Sequence, residues 1–252
     1  MAFNNKHAIV TGGGSGVGAA IALKLAEDNA KVTILGRRDK PLIETASKHK
    51  NIDWKVCDVT NADDLEQSYN VIRKKVGKIN IVIANAGKAF SKPFNKMSSK
   101  DISSIMDVNL IGVFNSFKYA SKDMESEGWG RMIAISSTAG LKGYSYVSAY
   151  CASKHAVIGL TKSLSIELAK KGITVNSICP SYVDTPMTER TIENITKLTN
   201  LSAEEAIEEL VSSNPQGKLI QPSEIADTVS WLCNDSSNSI NGQSISISGG
   251  EI

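Results

Sequence analysis

The sequence predicts a single α/β domain over residues 1–252, a doubly wound parallel sheet of seven strands with helices on both faces. Three observations predict it. Short apolar runs with strand character alternate along the chain with segments whose apolar residues recur at helical spacing. The first run passes into the first helix through a cluster of glycines. Strands joined through helices pair in parallel by right-handed crossovers, which cover both faces of one sheet.

Residues 7–11 (HAIVT) form the first apolar run, ended by Gly12-Gly13-Gly14-Ser15-Gly16-Val17-Gly18, after which Val17, Ala20, Ile21 and Leu25 lie at helical spacing. Glycines let a backbone approach a pyrophosphate closely, and a helix N-terminus offers free N–H groups and a positive dipole end. This order reads as a phosphate-binding turn of a dinucleotide unit, with Gly12, Ser15, Gly16, Val17 and Gly18 as the contacts. The alternative is a glycine turn without a ligand. Residues 31–35 (KVTIL) are the second strand and 39–48 a polar helix opened near Pro41. Residues 52–57 (IDWKVC) form a strand ending at Asp58, and 61–76 a helix with Asn61 as N-cap. Residues 79–84 (INIVIA) read as a buried strand running into Asn85-Ala86-Gly87.

A polar loop, 88–97, precedes a long helix from Ser98 to about Glu125 that carries Asp107-Val108-Asn109-Leu110. Residues 131–135 (RMIAI) are the fifth strand, leading into Ser136-Ser137-Thr138. The next helix holds Tyr150 and Lys154, is expected to bury Ala156, Val157, Leu160, Leu164 and Leu168, and stops at Gly172. Residues 173–178 (ITVNSI) are the sixth strand, closed by Cys179-Pro180. From 181 to 221 the alternation breaks into a polar stretch with one convincing amphipathic helix, 202–211. Placed after a parallel strand, it is expected to act as a lid over the ligand-binding edge. A helix over 222–232 and a strand over 243–247 (QSISI) complete the pattern.

Composition excludes several classes. Apolar residues make up 41% of the chain, and 28 Lys plus Arg nearly balance 26 Asp plus Glu, so no global field points to a nucleic acid or an anionic membrane. Cys57, Cys151, Cys179 and Cys233 form no CxxC pair, and His7, His49 and His155 form no HExxH motif, so neither disulfides nor a metal site is expected. No stretch reaches membrane-span length and the polar N-terminus leaves no room for a signal peptide, which together suggest a cytoplasmic protein.

Tyr150 and Lys154 stand at i and i+4 of one helix, where an ammonium is able to hold a phenol's proton loosely. A free tyrosine has a pKa of roughly 10 and needs a cation to exchange protons near neutrality. That pair is a proton-transfer device.

The motifs Thr11-Gly12-xxx-Gly16-x-Gly18, Asn85-Ala86-Gly87, Asn109, Ser137, Tyr150-xxx-Lys154 and Val183-Asp184-Thr185 resemble, in order and spacing, those of the short-chain dehydrogenase/reductases. The resemblance covers essentially the whole chain. It implies a Rossmann fold and hydride transfer between a nicotinamide cofactor and a carbonyl or secondary alcohol. In it Tyr150 donates the proton, Lys154 also binds the nicotinamide ribose, Ser137 holds the carbonyl, and Asn109 holds a water in a proton relay. Ser136 is the neighbouring candidate, and the thirteen-residue separation from Tyr150 selects Ser137. His155 reads as a helix-packing residue. Asp58 and Val59 resemble the family's adenine contacts, Asn85, Ala86 and Gly87 part of its cofactor floor, and Pro180, Val183 and Thr185 its nicotinamide-side contacts. Where NAD-specific folds carry an acid, this chain reads Gly36-Arg37-Arg38, so NADP(H) is favoured over NAD(H), with Arg37 and Arg38 facing the 2′-phosphate. Arg37 as a solvated surface charge is the alternative.

Two departures stand out: Ala84 where the family often has asparagine, and Pro180-Ser181 where Pro-Gly is usual, which restricts the lid's first turn. The stretch 203–232 and Gly128-Trp129-Gly130-Arg131 look like the 3-oxoacyl and polyketide ketoreductase branch, which implies a small-molecule or carrier-bound carbonyl substrate and reduction of a 3-oxoacyl thioester to its 3-hydroxy form, or the reverse reaction as a 3-hydroxyacyl-CoA dehydrogenase. Tyr144, Val147, Tyr182 and Met187, with Ser137 and Tyr150, are the expected pocket lining. Lys88, Lys92 and Lys96 either meet a carrier's phosphates or form a solvated face. Family resemblance also implies a homotetramer through the helices around 101–125 and 150–170, with residues 249–252 near another interface. A hydroxy-ketone, sugar or cyclic-alcohol dehydrogenase is the alternative enzyme, and a cofactor-sensing regulator the alternative of another class.

Overall fold

A computed structural model describes residues 3–252. The described residues form one parallel sheet in the order β3-β2-β1-β4-β5-β6-β7, with β1 His7–Thr11, β2 Lys31–Gly36, β3 Ile52–Val56, β4 Ile81–Ala84, β5 Gly130–Ile135, β6 Ile173–Pro180 and β7 Ser244–Ile247. The strand order reverses between β1 and β4, which leaves a crevice at their carboxyl ends.

Because side chains alternate across a strand, each apolar run feeds two cores. Ala8, Val10, Ile81 and Ile83 pack on one face with Ile21 and Leu25 of α1 (Gly16–Glu27), Leu42 of α2 (Asp39–Ala46), and Ile225 and Val229 of α9 (Pro222–Cys233). Ile9, Val82, Ala84 and Met132 pack on the other with Leu65 and Tyr69 of α3 (Ala62–Val76), Phe117 of α5 (Gly112–Glu127), and Val157 and Leu168 of α6 (Ser148–Leu168). The run 79–84 pairs only from Ile81 onward. Of the five residues expected inside α6, Val157 and Leu168 are buried, while Ala156, Leu160 and Leu164 lie half-buried at its flank.

Local signals act as read. The Asn61 side chain accepts the Asp64 N–H at 3.1 Å, and Gly172 ends its helix in the left-handed region at φ 73°. The long helix expected from Ser98 divides in two ways. Ser98 and Asp101 form a capping box before α4 (Ser99–Met106), and the turn Asp107–Ile111 widens to a π-helix before α5 continues. The stretch 181–221 holds α7 (Pro186–Leu198) as well as α8 (Ala203–Val211). Thr188 is the only buried residue of α7, and its many Thr, Glu and Asn residues read as a polar stretch although its few apolar residues share one face.

Candidate active site

Ser137, Tyr150, Lys154 and Asn109 reach one place because three different elements begin, end or bulge there: the end of β5, the first turns of α6 and the turn Asp107–Ile111. β5 runs into Ser137, whose Oγ accepts the Ala139 N–H at 3.1 Å and starts a short 3₁₀ turn. Within residues 130–140 Ser137 alone is not buried. Ser136 is buried and its hydroxyl donates to the Lys154 carbonyl at 3.2 Å, so the strand's alternation turns Ser136 to the helix backbone and Ser137 to the open side.

Tyr150 lies in the first turn of α6, near enough to Ser137 for that hydroxyl to favour the ionised phenol. Burial pushes its phenol up to about 12, against the downward pull of that hydroxyl. Lys154 is 5% exposed, and burial brings its ammonium down to about 8. Its Nζ donates to the Ile135 carbonyl at 2.8 Å and lies 5.6 Å from the centre of the Tyr150 ring. The expectation that Lys154 holds the phenol's pKa down is therefore corrected for the protein by itself. The ammonium is tied to the strand end, and burial dominates the tyrosine.

Asn109 is fully buried within the π turn, a distortion often found at functional sites. Its Nδ2 donates to the Lys88 carbonyl and to Ser153 Oγ, both at 3.0 Å, and its Oδ1 accepts the Lys88 N–H at 2.9 Å. Ser153, overlooked in the sequence, bonds the Tyr150 carbonyl at 2.8 Å and so links Asn109 to the tyrosine's turn. Its signal was its place one turn beyond Tyr150. A Cβ on Gly87 would lie 3.4 Å from Asn109 Oδ1 and 3.8 Å from Lys154 Nζ, which puts Asn109, Lys154 and the strand-end glycine around one space.

The glycine turn lies at the neighbouring strand end. Gly12 and Gly16 have φ of 67° and 52°, a region favouring glycine, and a Cβ on Gly18 would meet the Gly12 carbonyl at 2.3 Å. Ser15 is the extended N-cap of α1 without a side-chain cap bond, leaving the helix's first N–H groups for another acceptor. Asn85 donates from Nδ2 to the Thr11 and Gly12 carbonyls at 3.0 and 3.2 Å, bracing this turn from β4, and Ala86 N–H bonds Thr11 Oγ1 at 3.0 Å. Val17 is half-buried. Arg37 and Arg38 are exposed after β2, with no side-chain partner among the described residues.

Asp58 follows β3, accepting from Thr60, and buried Val59 packs where Gly112 admits it, since a Cβ there would lie 2.7 Å from it. Pro180 ends β6 and Val183 bridges to Ile220. The Thr185 methyl would lie 3.1 Å from a Cβ on Gly16, so the expected nicotinamide-side segment faces the glycine turn.

The expected pocket residues divide. Tyr182 is near enough to Tyr150 to raise its pKa, and Val147 is the N-cap of α6. Met187 is 48% exposed on α7. The Tyr144 hydroxyl is already committed, to Thr138 at 2.7 Å and Glu251 at 2.5 Å. Lys92 pairs with Asp101 at 2.6 Å and Lys88 with Ser104, so of the three loop lysines only Lys96 keeps an unengaged amine among the described residues. His155 is exposed and bonds the Cys151 carbonyl at 2.9 Å, away from the tyrosine.

Comparison with known proteins places the chain in a family. A 3beta-hydroxysteroid dehydrogenase of Mediterraneibacter gnavus is 34% identical, over 98% of this chain and 95% of its own. The 3-oxoacyl-[acyl-carrier-protein] reductase MabA of Mycobacterium bovis is 31% identical, over 98% and 93%. An actinorhodin polyketide ketoreductase solved with NADPH superposes with a TM-score of 0.95 at 32% identity, covering 100% of this chain and 99% of that one. The profile of the short chain dehydrogenase family matches residues 6–196, and the chain belongs to that family of oxidoreductases acting on CH–OH and keto groups.

Proposed function

We propose that the protein is an NADP(H)-dependent reductase of 3-oxoacyl thioesters, on an acyl carrier protein or CoA, able to run the reverse oxidation of the 3-hydroxyacyl form. The observation that carries the reading is the meeting of Ser137, Tyr150, Lys154 and Asn109 beside a glycine turn at one sheet edge. Similarity to a ketoreductase and a 3-oxoacyl reductase supports the substrate class.

The chain's residues fit a dinucleotide. The crowded Gly12–Gly18 turn and the uncapped start of α1 would take the pyrophosphate, with Ser15, Gly16 and Val17 nearest. Unpartnered Arg37 and Arg38 would take a 2′-phosphate, Asp58 and Val59 the adenine, and Asn85, Ala86 and Gly87 the floor between. Lys154 and Tyr150 would hold the nicotinamide ribose, with Pro180, Val183 and Thr185 on the nicotinamide. When bound, the reduced cofactor supplies a hydride.

The chain supplies the rest. Ser137 donates a hydrogen bond to the carbonyl oxygen and places it at Tyr150. With its pKa near 12, Tyr150 keeps its proton at neutral pH and is ready as the general acid of reduction. Lys154, protonated below about 8, provides the positive charge that the forming phenolate requires. Asn109 spends both amide protons and one lone pair on Lys88 and Ser153, leaving a lone pair of Oδ1 to orient a relay water. Residues 181–221 act as the lid, with Tyr182 and Met187 facing substrate, Val147 on the opposite wall, and Tyr144 contributing its ring.

The exposed apolar residues Ile102, Ile111 and Phe114 on the α4 to α5 helix and Ile166 on α6, the last 81% exposed, favour a homotetramer through those helices. Among the described residues no helix is long and apolar enough to cross a membrane, and four buried free thiols suit a reducing cytoplasm.

Initial rates with NADPH and NADH against acetoacetyl-CoA, a longer 3-oxoacyl thioester, a sugar ketone and a cyclic ketone test the reading. Thioester preference with NADPH is expected. The steroid-dehydrogenase relative favours the competing cyclic-alcohol reading, and a cyclic-ketone preference would establish it. Tyr150→Phe is expected to cut turnover by at least about a hundredfold while NADPH still binds, and unchanged turnover would sink the mechanism.

A further inference from the structure

Glu251 belongs to no catalytic motif, yet its side chain is 1% exposed and collects four donors. Lys142 Nζ reaches Oε1 at 2.7 Å, Tyr144 Oη at 2.5 Å and Ser213 Oγ at 2.8 Å, while Ser181 Oγ reaches Oε2 at 2.5 Å. A carboxylate only accepts, and here three donors converge on Oε1 while Ser181 alone takes Oε2. Burial works to raise its pKa, but the bonds from Lys142, Ser181, Tyr144 and Ser213 outweigh it and bring the carboxyl down to about 2.

The chain is shaped to deliver it. Gly249 and Gly250 take φ of 61° and 97°, turning the backbone after β7 back on itself, and a Cβ on Gly249 would lie 2.0 Å from Asn214 Oδ1. No other residue fits that approach, so the tail is seated against the segment after α8.

Two of the donors, Tyr144 and Ser181, belong to segments beside the candidate reacting groups, and a third, Ser213, belongs to the lid. Tyr144 has one phenolic proton, which goes to the carboxylate, so Thr138 Oγ1 at 2.7 Å must donate to Tyr144. Thr138 directly follows Ser137. Ser181 directly precedes Tyr182, whose ring lies near Tyr150, and its N–H bonds the Ile247 carbonyl at 3.1 Å. Ser213 follows α8, the second helix of the lid. One carboxylate therefore ties the shoulder of Ser137, the shoulder of Tyr182 and the far end of the lid to a single point. It also gives the serine at 181 a use that glycine would lack, a hydroxyl for this bond.

We propose that Glu251 is a positioning residue for carbonyl binding: it touches no reacting atom, but sets where Tyr144, Tyr182 and the lid stand relative to the Ser137–Tyr150 pair. This rests on the reductase reading above. Glu251→Gln keeps the volume but cannot accept four bonds or balance Lys142. It is expected to lower kcat/KM for acetoacetyl-CoA between about tenfold and a hundredfold, chiefly through KM, leaving the KM for NADPH within about twofold. Hydrogen exchange across residues 181–218 is expected to speed up, a readout independent of turnover.

Ser181→Ala carries the same defect in milder form, and in the Glu251→Gln background its further effect is less than additive because both changes weaken one shared network. Should Glu251→Gln not fold, Ser181→Ala and Tyr144→Phe, each removing one donor, and their double variant carry the test, with less than additive losses expected. Independent, additive losses, an equal rise in both KM values, or lid exchange unaltered in a folded variant would overturn the proposal. Failure of the wild-type protein to reduce any carbonyl would overturn the reductase reading instead, while the exchange measurement would still decide whether Glu251 holds the lid.

Discussion

At neutral pH Tyr150, lifted to about 12 by burial, keeps its proton, and Lys154, brought to about 8 by burial, still carries its charge in most molecules. Spacing alone identified the pair but not the signs of these shifts, since burial of both groups is a property of the packed helix and strand. Arg37 is the opposite case, an exposed group whose role depends on charge. Replacing Arg37 with Asp is expected to lower the NADPH-to-NADH ratio of kcat/KM at least about tenfold, and an unaltered ratio would remove the cofactor assignment. His7, away from the site, gives a pH test of the core. Burial holds its pKa down at about 4, and Nε2 is hydrogen-bonded with Thr33 Oγ1 at 2.9 Å. Between about 6.5 and 4 the unfolded chain binds a proton that the folded chain refuses, so stability falls as pH drops through that window. Urea unfolding at pH 7 and 4.5 is expected to show a loss larger by about 2 to 3 kcal/mol for wild type than for His7→Gln, and equal losses would count against it.

At the scale of elements, caps and glycines were readable because they act over three or four residues. Ser202 accepts the Glu205 N–H at 3.2 Å and its own N–H bonds Glu205 Oε2 at 2.7 Å, which closes a capping box on the lid helix α8. Ser202→Ala is expected to cost about 1 kcal/mol locally, seen as faster hydrogen exchange over residues 203–211 with a higher KM for the carbonyl substrate. Exchange at the wild-type rate would show that packing, not the cap, holds this helix. The π turn that buries Asn109 was not readable. A widened turn costs one hydrogen-bond register and is retained because Lys88 and Ser153 engage the side chain from other elements.

Across the whole molecule, the strand order carries the argument. With β1 and β4 adjacent, the glycine turn after β1 and the Asn85 segment after β4 share one crevice, and β5 and β6 bring Ser137 and Pro180 to the same edge. Exposed Ile166 tests the assembly proposed above. Ile166→Glu is expected to reduce the mass measured by light scattering from a tetramer to a smaller species without loss of folding, and an unchanged tetramer would place the interface elsewhere.

By itself the sequence determined the alternation of strands and helices, most of their caps and the glycine turn, and it named Ser137, Tyr150, Lys154 and Asn109 as the candidate site. Those depend on periodicity and on short fixed spacings, which a chain states directly. Only the tertiary structure decided that Ser136 is held on the Lys154 carbonyl, that Lys154 is bound to Ile135, that two loop lysines are already engaged, and that Glu251 bonds Ser181 at the start of the lid. The reason is separation: Glu251 meets partners 38 to 109 residues away, and no local pattern records a contact made by the closing of a sheet.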